Sequence, residues 1–370
     1  MKKIFLIIII LLIFGLVGVG IGKVYDNKNN WLSPKGSSWE LFKTNDENKV
    51  ETGDIKIEKN IGYLAQYNFE NLRKRENKGS IIKDVGKVLV VEEARPTVIE
   101  KYKEEGILKE NNFTSKAISF ESNGKKISGM INLPADSPAV LAGRPAIIMI
   151  RGFAESEGYF VGSGSWKVAD ELARNGFVTI SLDFLGFGLS DDESKDILEA
   201  RFEKPVGVLD LIESVKKLKY VDPDRIGIWA HSNGGQIAVS VLEITGKNYP
   251  TVLWAPMTNP FPMSILETMD DSEGGLIVKK RIEDFEKEYD SELYSIYNYY
   301  NWIEAPILIH QGTSDVWCQV KWQENFKKQL EKYNKEVYLD IREGSDHNLK
   351  ESWNEVIKMD IEFYKNKMKI

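Results

Sequence analysis

Three residues of this chain could together open an acyl bond: Ser232, Asp315 and His347. A serine hydroxyl is a weak nucleophile at neutral pH. It needs a base within hydrogen-bond reach, and that base needs a group that fixes its tautomer. Ser232 sits in Arg225-Ile-Gly-Ile-Trp-Ala-His-Ser-Asn-Gly-Gly. Arg225 to Trp229 is an apolar run of strand type, and Gly234 to Thr245 is long and apolar enough for a helix. A strand that turns at once into a helix crowds the two together, so the positions two before and two after the apex must be small. They are Ala230 and Gly234. Ser232 is then left exposed on a sharp turn, with the first helical amides facing any oxyanion that forms.

The other two residues follow in the order the chemistry needs. Asp315 closes His310-Gln-Gly-Thr-Ser-Asp, directly after the apolar run Ile307 to Ile309. His347 closes Gly344-Ser-Asp-His, directly after Val337 to Ile341. The spacings, 315 − 232 = 83 and 347 − 315 = 32, leave room for an insertion and then for one helix and one strand. Asp346 is the weaker candidate for the acid. His231, beside the nucleophile, and His310, on a strand, read as structural histidines. The oxyanion needs two backbone donors. The amide of Asn233 is one, and the amide of Phe153 in Arg151-Gly152-Phe153 is the other. Glu155 and Glu157, just beyond, read as a solvated acidic loop.

These residues need a sheet to hold them. Ala117 to Glu121 and Lys126 to Leu133 flank Ser122-Asn-Gly, a hairpin signal. Pro145 to Ile150, Phe177 to Leu182 and Thr251 to Trp254 are continuous apolar runs of the kind a strand buried on both faces shows. Between the strands lie helical patterns over Trp166 to Asn175, Pro205 to Tyr220, Trp322 to Tyr333 and Glu351 to Lys367. A hairpin followed by alternating strands and helices predicts an α/β fold with a doubly wound, mostly parallel sheet. Met257 to Asn301 interrupts the alternation with a charged helix near Ile277 to Tyr289 and an aromatic tail. We expect it, at about 257–303, to be a cap over the carboxyl ends of the strands.

The 370 residues accommodate one large domain and an appendage. A net charge of −7 without a block of like charges excludes a nucleic-acid partner as the reading. A single cysteine, Cys318, rules out an internal disulfide framework and a cysteine-based zinc cluster, and three histidines make a histidine-rich metal site unexpected. Ile4 to Gly22, behind Lys2 and Lys3, is 19 residues without charge. It is long enough to cross a bilayer and longer than the usual apolar core of a signal peptide. Residues 1–22 therefore read as a signal anchor that leaves the bulk of the chain outside the cytoplasm, with a cleaved signal and secretion as the alternative. Residues 23–116 read as a linker and a small region of unassigned role, including a helix near Thr97 to Glu105. The catalytic domain is expected over 117–370.

The motifs taken together resemble the α/β-hydrolase superfamily. They are most like the catalytic domain of the prolyl oligopeptidase family of serine peptidases, over about Ala117 to Met368. The carriers are the Ser232 segment, Ala305-Pro-Ile-Leu-Ile-His-Gln-Gly-Thr-Ser-Asp315 and Glu343-Gly-Ser-Asp-His-Asn348. The resemblance implies a serine hydrolase with Ser232 as nucleophile, His347 as base and Asp315 as orienting acid, acting on small peptides without cofactor or metal. The Asp183-Phe-Leu-Gly-Phe-Gly-Leu-Ser190 segment is instead similar to esterases and acyl hydrolases, and Arg151 stands where many relatives in the superfamily carry a histidine. A carboxylesterase on small acyl esters is the alternative function, and an idle binding protein a second one.

Overall fold

The computed structural model describes residues 62–86, 113–135, 143–268 and 272–370, all within one compact unit. The expected anchor over 1–22, the linker and the helix near Thr97 to Glu105 lie outside the described residues. No helix among those described is long and apolar enough to cross a membrane.

Among the described residues nine strands form one sheet: β1 (Lys83–Gly86), β2 (Phe113–Ser122), β3 (Lys125–Pro134), β4 (Arg144–Ile150), β5 (Val178–Leu182), β6 (Val221–His231), β7 (Thr251–Trp254), β8 (Ile307–Gly312) and β9 (Val337–Arg342). Their order is β1-β2-β3-β5-β4-β6-β7-β8-β9. The first three and the β3–β5 pair are antiparallel, and everything from β5 to β9 is parallel. The chain starts its parallel part near the middle and winds outward both ways, which is the doubly wound arrangement the strand pattern predicts.

Among the described residues eight helices accompany the sheet: α1 (Phe69–Lys74), α2 (Trp166–Arg174), α3 (Ile197–Val215), α4 (Asn233–Thr245), α5 (Met263–Leu266), α6 (Glu273–Glu288), α7 (Val320–Lys332) and α8 (Trp353–Met368). Successive side chains of a strand face opposite ways, and β4 divides its residues accordingly. Ile148 and Ile150 join a core with Val208, Leu211 and Ile212 of α3, Val239 and Leu242 of α4, and Phe326 of α7. Ile147 and Met149 join a second core with Leu172 of α2 and Val356 and Tyr364 of α8. A sheet covered on both faces explains why its central strands read as unbroken apolar runs.

Two expectations need correction. Helix α3 starts at Ile197, eight residues before Pro205, because Asp196 caps it by accepting from the Leu198 and Glu199 amides. Pro205 lies inside the helix and ends nothing; lacking an N–H, it only withholds the bond that the Arg201 carbonyl would have accepted. The compact unit also begins well before Ala117. Leu64, Tyr67, Phe69 and Leu72 are buried in the larger core, and Phe69 stacks on Tyr299 with 4.9 Å between ring centroids. Arg75 fixes this segment to α3 through two 2.7 Å bonds to Asp210, which also accepts from Ser122 Oγ at 2.6 Å.

The insertion between β7 and β8 consists of α5, α6 and three short 3-10 turns that end at Trp302. Its rings turn inward. Phe261, Phe285 and Tyr294 pack on one another and on Phe202 of α3, so the insertion is held by aromatic burial and not only by its charged helix.

Candidate active site

Ser232 stands between β6 and α4 with φ 56° and ψ −125°, a conformation L-residues rarely adopt. Such strain persists only where the surroundings enforce it, and here three close approaches do so. A Cβ on Gly234 would lie 2.5 Å from the carbonyl oxygens of Ile150 and Arg151. One on Gly235 would lie 2.4 Å from Pro256 Cβ, and one on Gly152 would lie 2.8 Å from Ser232 Cβ. Ala230 is fully buried in register between Ile150 and Leu253, so its methyl packs in the sheet where a glycine would leave space. The Ser232 carbonyl accepts from Gly235 and Met257 amides, each at 2.9 Å, which pins the turn from its far side.

Asp315 and His347 meet directly. Nδ1 of His347 lies 2.8 Å from Oδ2 of Asp315. The carboxylate is held from every side: its Oδ1 accepts from the Trp317 and Cys318 amides at 2.8 and 3.0 Å, and its Oδ2 accepts from Gln311 Nε2 at 3.0 Å. Burial alone would raise the Asp315 carboxyl. The bonds from His347 and the Cys318 amide outweigh it and hold the group below its ordinary range. Asp346, by contrast, accepts from the Asn348 and Lys350 amides and shapes the turn under His347.

The two halves join through His231. Its Nε2 lies 3.0 Å from the His347 carbonyl oxygen, and the two rings are 4.7 Å apart. Burial, followed by the His347 charge, lowers the His231 pKa to about 4, so it is a neutral strut at physiological pH. His310 is a packed histidine as expected, enclosed in β8 between Asp340 at 2.7 Å and Asp360 at 2.9 Å.

The Arg151-Gly152-Phe153 loop lies against the turn: Gly152 approaches Ser232, and Phe153 is 83% exposed. The amides of Phe153 and Asn233 have no acceptor among the described residues. Arg151, which the sequence left without a role, is a buried clamp. It donates to Gly152 O, to Asp183 O and to Tyr159 Oη at 2.9, 2.8 and 3.0 Å, and it lies 4.1 Å from the Phe187 ring centroid. Asp183 answers by accepting from Ser128 Oγ, Tyr159 Oη and the Gly162 amide. No spacing signals this latch, because it joins loops from three strands. Glu155 and Glu157 are exposed.

Asp315, Cys318 and His347 place three donor atoms within 4.8 Å of one another. Nδ1 of His347 already faces Asp315, and burial pushes the Cys318 thiol up, away from the thiolate a metal would need. The set therefore fits an oriented histidine better than a bound ion.

A nine-stranded doubly wound sheet with a serine on a strained strand–helix turn defines an α/β-hydrolase fold. The sequence profile of the prolyl oligopeptidase family matches residues 167–370, and the chain belongs to that family. It is accordingly a serine hydrolase of the peptidase or esterase type. A relative in Aquifex aeolicus named "Putative carboxymethylenebutenolidase" is 30% identical over 129 residues, 33% of this chain and 52% of that protein. The chain thus spans about half the length of that relative. Among solved structures, Porphyromonas gingivalis dipeptidyl peptidase 4 is similar with TM-score 0.55 and 16% identity over 74% of this chain and 37% of that one. Acetyl xylan esterase from a Paenibacillus species is similar with TM-score 0.57 and 13% identity over 80% and 91%.

Proposed function

We propose that this protein cleaves a small amide or ester by acyl transfer to Ser232. His347 takes the hydroxyl proton as Ser232 attacks the carbonyl, and later returns it to the leaving group. Asp315 holds the imidazole in the tautomer that presents Nε2 to the serine. The Asn233 and Phe153 amides receive the oxyanion, and water then releases the acyl group. The observation that carries this reading is the 2.8 Å contact of His347 with a carboxylate bound by two amides and Gln311, on the rim that also bears Ser232. The mechanism calls on no metal.

Family membership favours a peptide or other amide. The pocket beside Asn233 is small, about 40 Å³, and this observation favours the second reading, a short-chain ester. Phe261, Tyr294 and Ile296 of the insertion line that pocket, which supports the insertion as a cap supplying an apolar substrate wall. Turnover of peptidyl p-nitroanilides and of p-nitrophenyl esters by the full chain separates the two. Amide cleavage supports the peptidase and ester cleavage alone the esterase. Traces of neither would mean an idle binding protein.

The 19 uncharged residues from Ile4 to Gly22 support a membrane-anchored enzyme acting outside the cytoplasm. Carbonate-washed membranes that retain the full chain agree with this; its release into the supernatant does not.

A further inference from the structure

Helix α3 places Arg201 and Lys204 three residues apart, on one face. That face lines a pocket whose other walls include Asn233 and Gln236 of α4 and the rings of Phe261 and Tyr294. Asn233 follows Ser232 directly, so one wall of the pocket is the residue next to the serine. Arg201 Nη2 donates to Gln236 Oε1 and, at 3.3 Å, lies near Ser264 Oγ; both are neutral. Among the described residues no carboxylate comes within 4.0 Å of the Arg201 guanidinium, and Lys204 Nζ has neither ion pair nor hydrogen bond. The carboxylates that act on Lys204 are Glu193 and, more weakly, Glu203. Glu203 is already taken by Lys125 Nζ and the Ser194 amide, each at 3.2 Å.

Two cations thus share a small, mostly apolar pocket, and neither is ion-paired within 4.0 Å among the described residues. Burial draws the Arg201 pKa down to about 10, and burial with the Arg201 charge draws Lys204 to about 8. A half-buried charge without an ion pair is costly, and an entering anion would lower that cost. The free volume of about 40 Å³ admits a group of a few heavy atoms, the size of a carboxylate.

We propose that this pocket binds a carboxylate at the far end of the substrate's acyl part, so that the preferred substrate is an acyl group ending in an acid, such as a glutamyl residue or a short dicarboxylic half-ester. The proposal rests on Ser232 as the acylated residue.

The test compares substrates that differ in charge and little in shape: acetyl-Glu against acetyl-Gln p-nitroanilide, and the p-nitrophenyl monoester of adipic acid against p-nitrophenyl hexanoate. The readout is the ratio of kcat/KM within each pair, which does not depend on the fraction of folded enzyme. We expect the acidic member to be preferred about tenfold or more in one pair, and the ratio to fall toward one in Lys204→Met and Arg201→Gln. Ser232-dependent turnover with no preference for the acid, or a preference that survives both variants, overturns the anion site and leaves the hydrolase reading intact. A second readout needs no turnover: glutarate should raise the melting temperature of wild type and of Ser232→Ala, but not of Lys204→Met. Glutarate stabilisation without Ser232-dependent turnover of any substrate overturns the catalytic reading alone. No stabilisation of wild type at any concentration overturns the anion site.

Discussion

His347 Nδ1 and Asp315 Oδ2 are 2.8 Å apart, and Gln311, Trp317 and Cys318 hold that carboxylate so that it cannot turn away. The relationship sets the tautomer of His347, and so decides whether Nε2 can accept a proton.

Asp315→Asn should leave the fold intact, because an amide can keep most of these bonds, but it would favour the wrong imidazole tautomer. We expect kcat to fall by about 10³–10⁴-fold with little change in KM. A loss smaller than tenfold would mean Asp315 does not orient the base.

Gly152→Ala tests the approach of the Arg151–Phe153 loop, the proposed oxyanion loop, to Ser232. The added Cβ would lie 2.8 Å from Ser232 Cβ and 3.0 Å from the His231 carbonyl oxygen, so one of them must shift. Displacement of this order should lower kcat by about 10–100-fold while the unfolding midpoint moves little. Unchanged kcat would separate this loop from the chemistry.

The Asp340–His310–Asp360 group should make stability depend on pH. Burial alone would lower the His310 pKa, but the bonds to Asp340 and Asp360 outweigh it and raise it. Burial raises Asp360 as well. Folded His310 therefore keeps its proton where the unfolded chain, with a pKa of about 6.5, has lost it. Its contribution is complete below that pH and fades as pH rises through the folded value. Chemical denaturation from pH 6 to 9 should show wild type losing more stability than His310→Gln over the same range; parallel curves would contradict this.

Glu243 on α4 is fully buried, and neither carboxylate oxygen has a hydrogen-bond partner among the described residues. Burial raises its pKa well above the ordinary value, so its contribution is favourable only in acid and turns unfavourable above about pH 4.3. Glu243→Leu should stabilise the protein at pH 7 by about 1–3 kcal/mol in urea unfolding. A variant no more stable than wild type would mean that water or another group meets the carboxylate.

The sequence revealed what depends on local order. Ser232, Asp315 and His347 each follow an apolar strand, and both strand period and motif spacing are local signals. Pro205 misled because proline favours the first turn of a helix, whereas Asp196 had already capped α3 further upstream. Leu64, Tyr67 and Phe69 looked unremarkable because their partners lie far along the chain, as with the Tyr294 hydroxyl that donates to the Leu64 carbonyl. Arg151, Arg201 and Lys204 could not be told from solvated charges. Only tertiary packing distinguishes a buried cation from an exposed one.

The proposed chemistry turns on Ser232. Full-length protein and its Ser232→Ala variant, both shown to be folded, should be treated with a fluorophosphonate and digested for mass spectrometry, with hydrolysis assayed in parallel. One adduct per chain is expected, on Ser232, with label and turnover lost together in the variant. A folded wild type that takes no label at Ser232, or a variant that still turns over substrate, would contradict it.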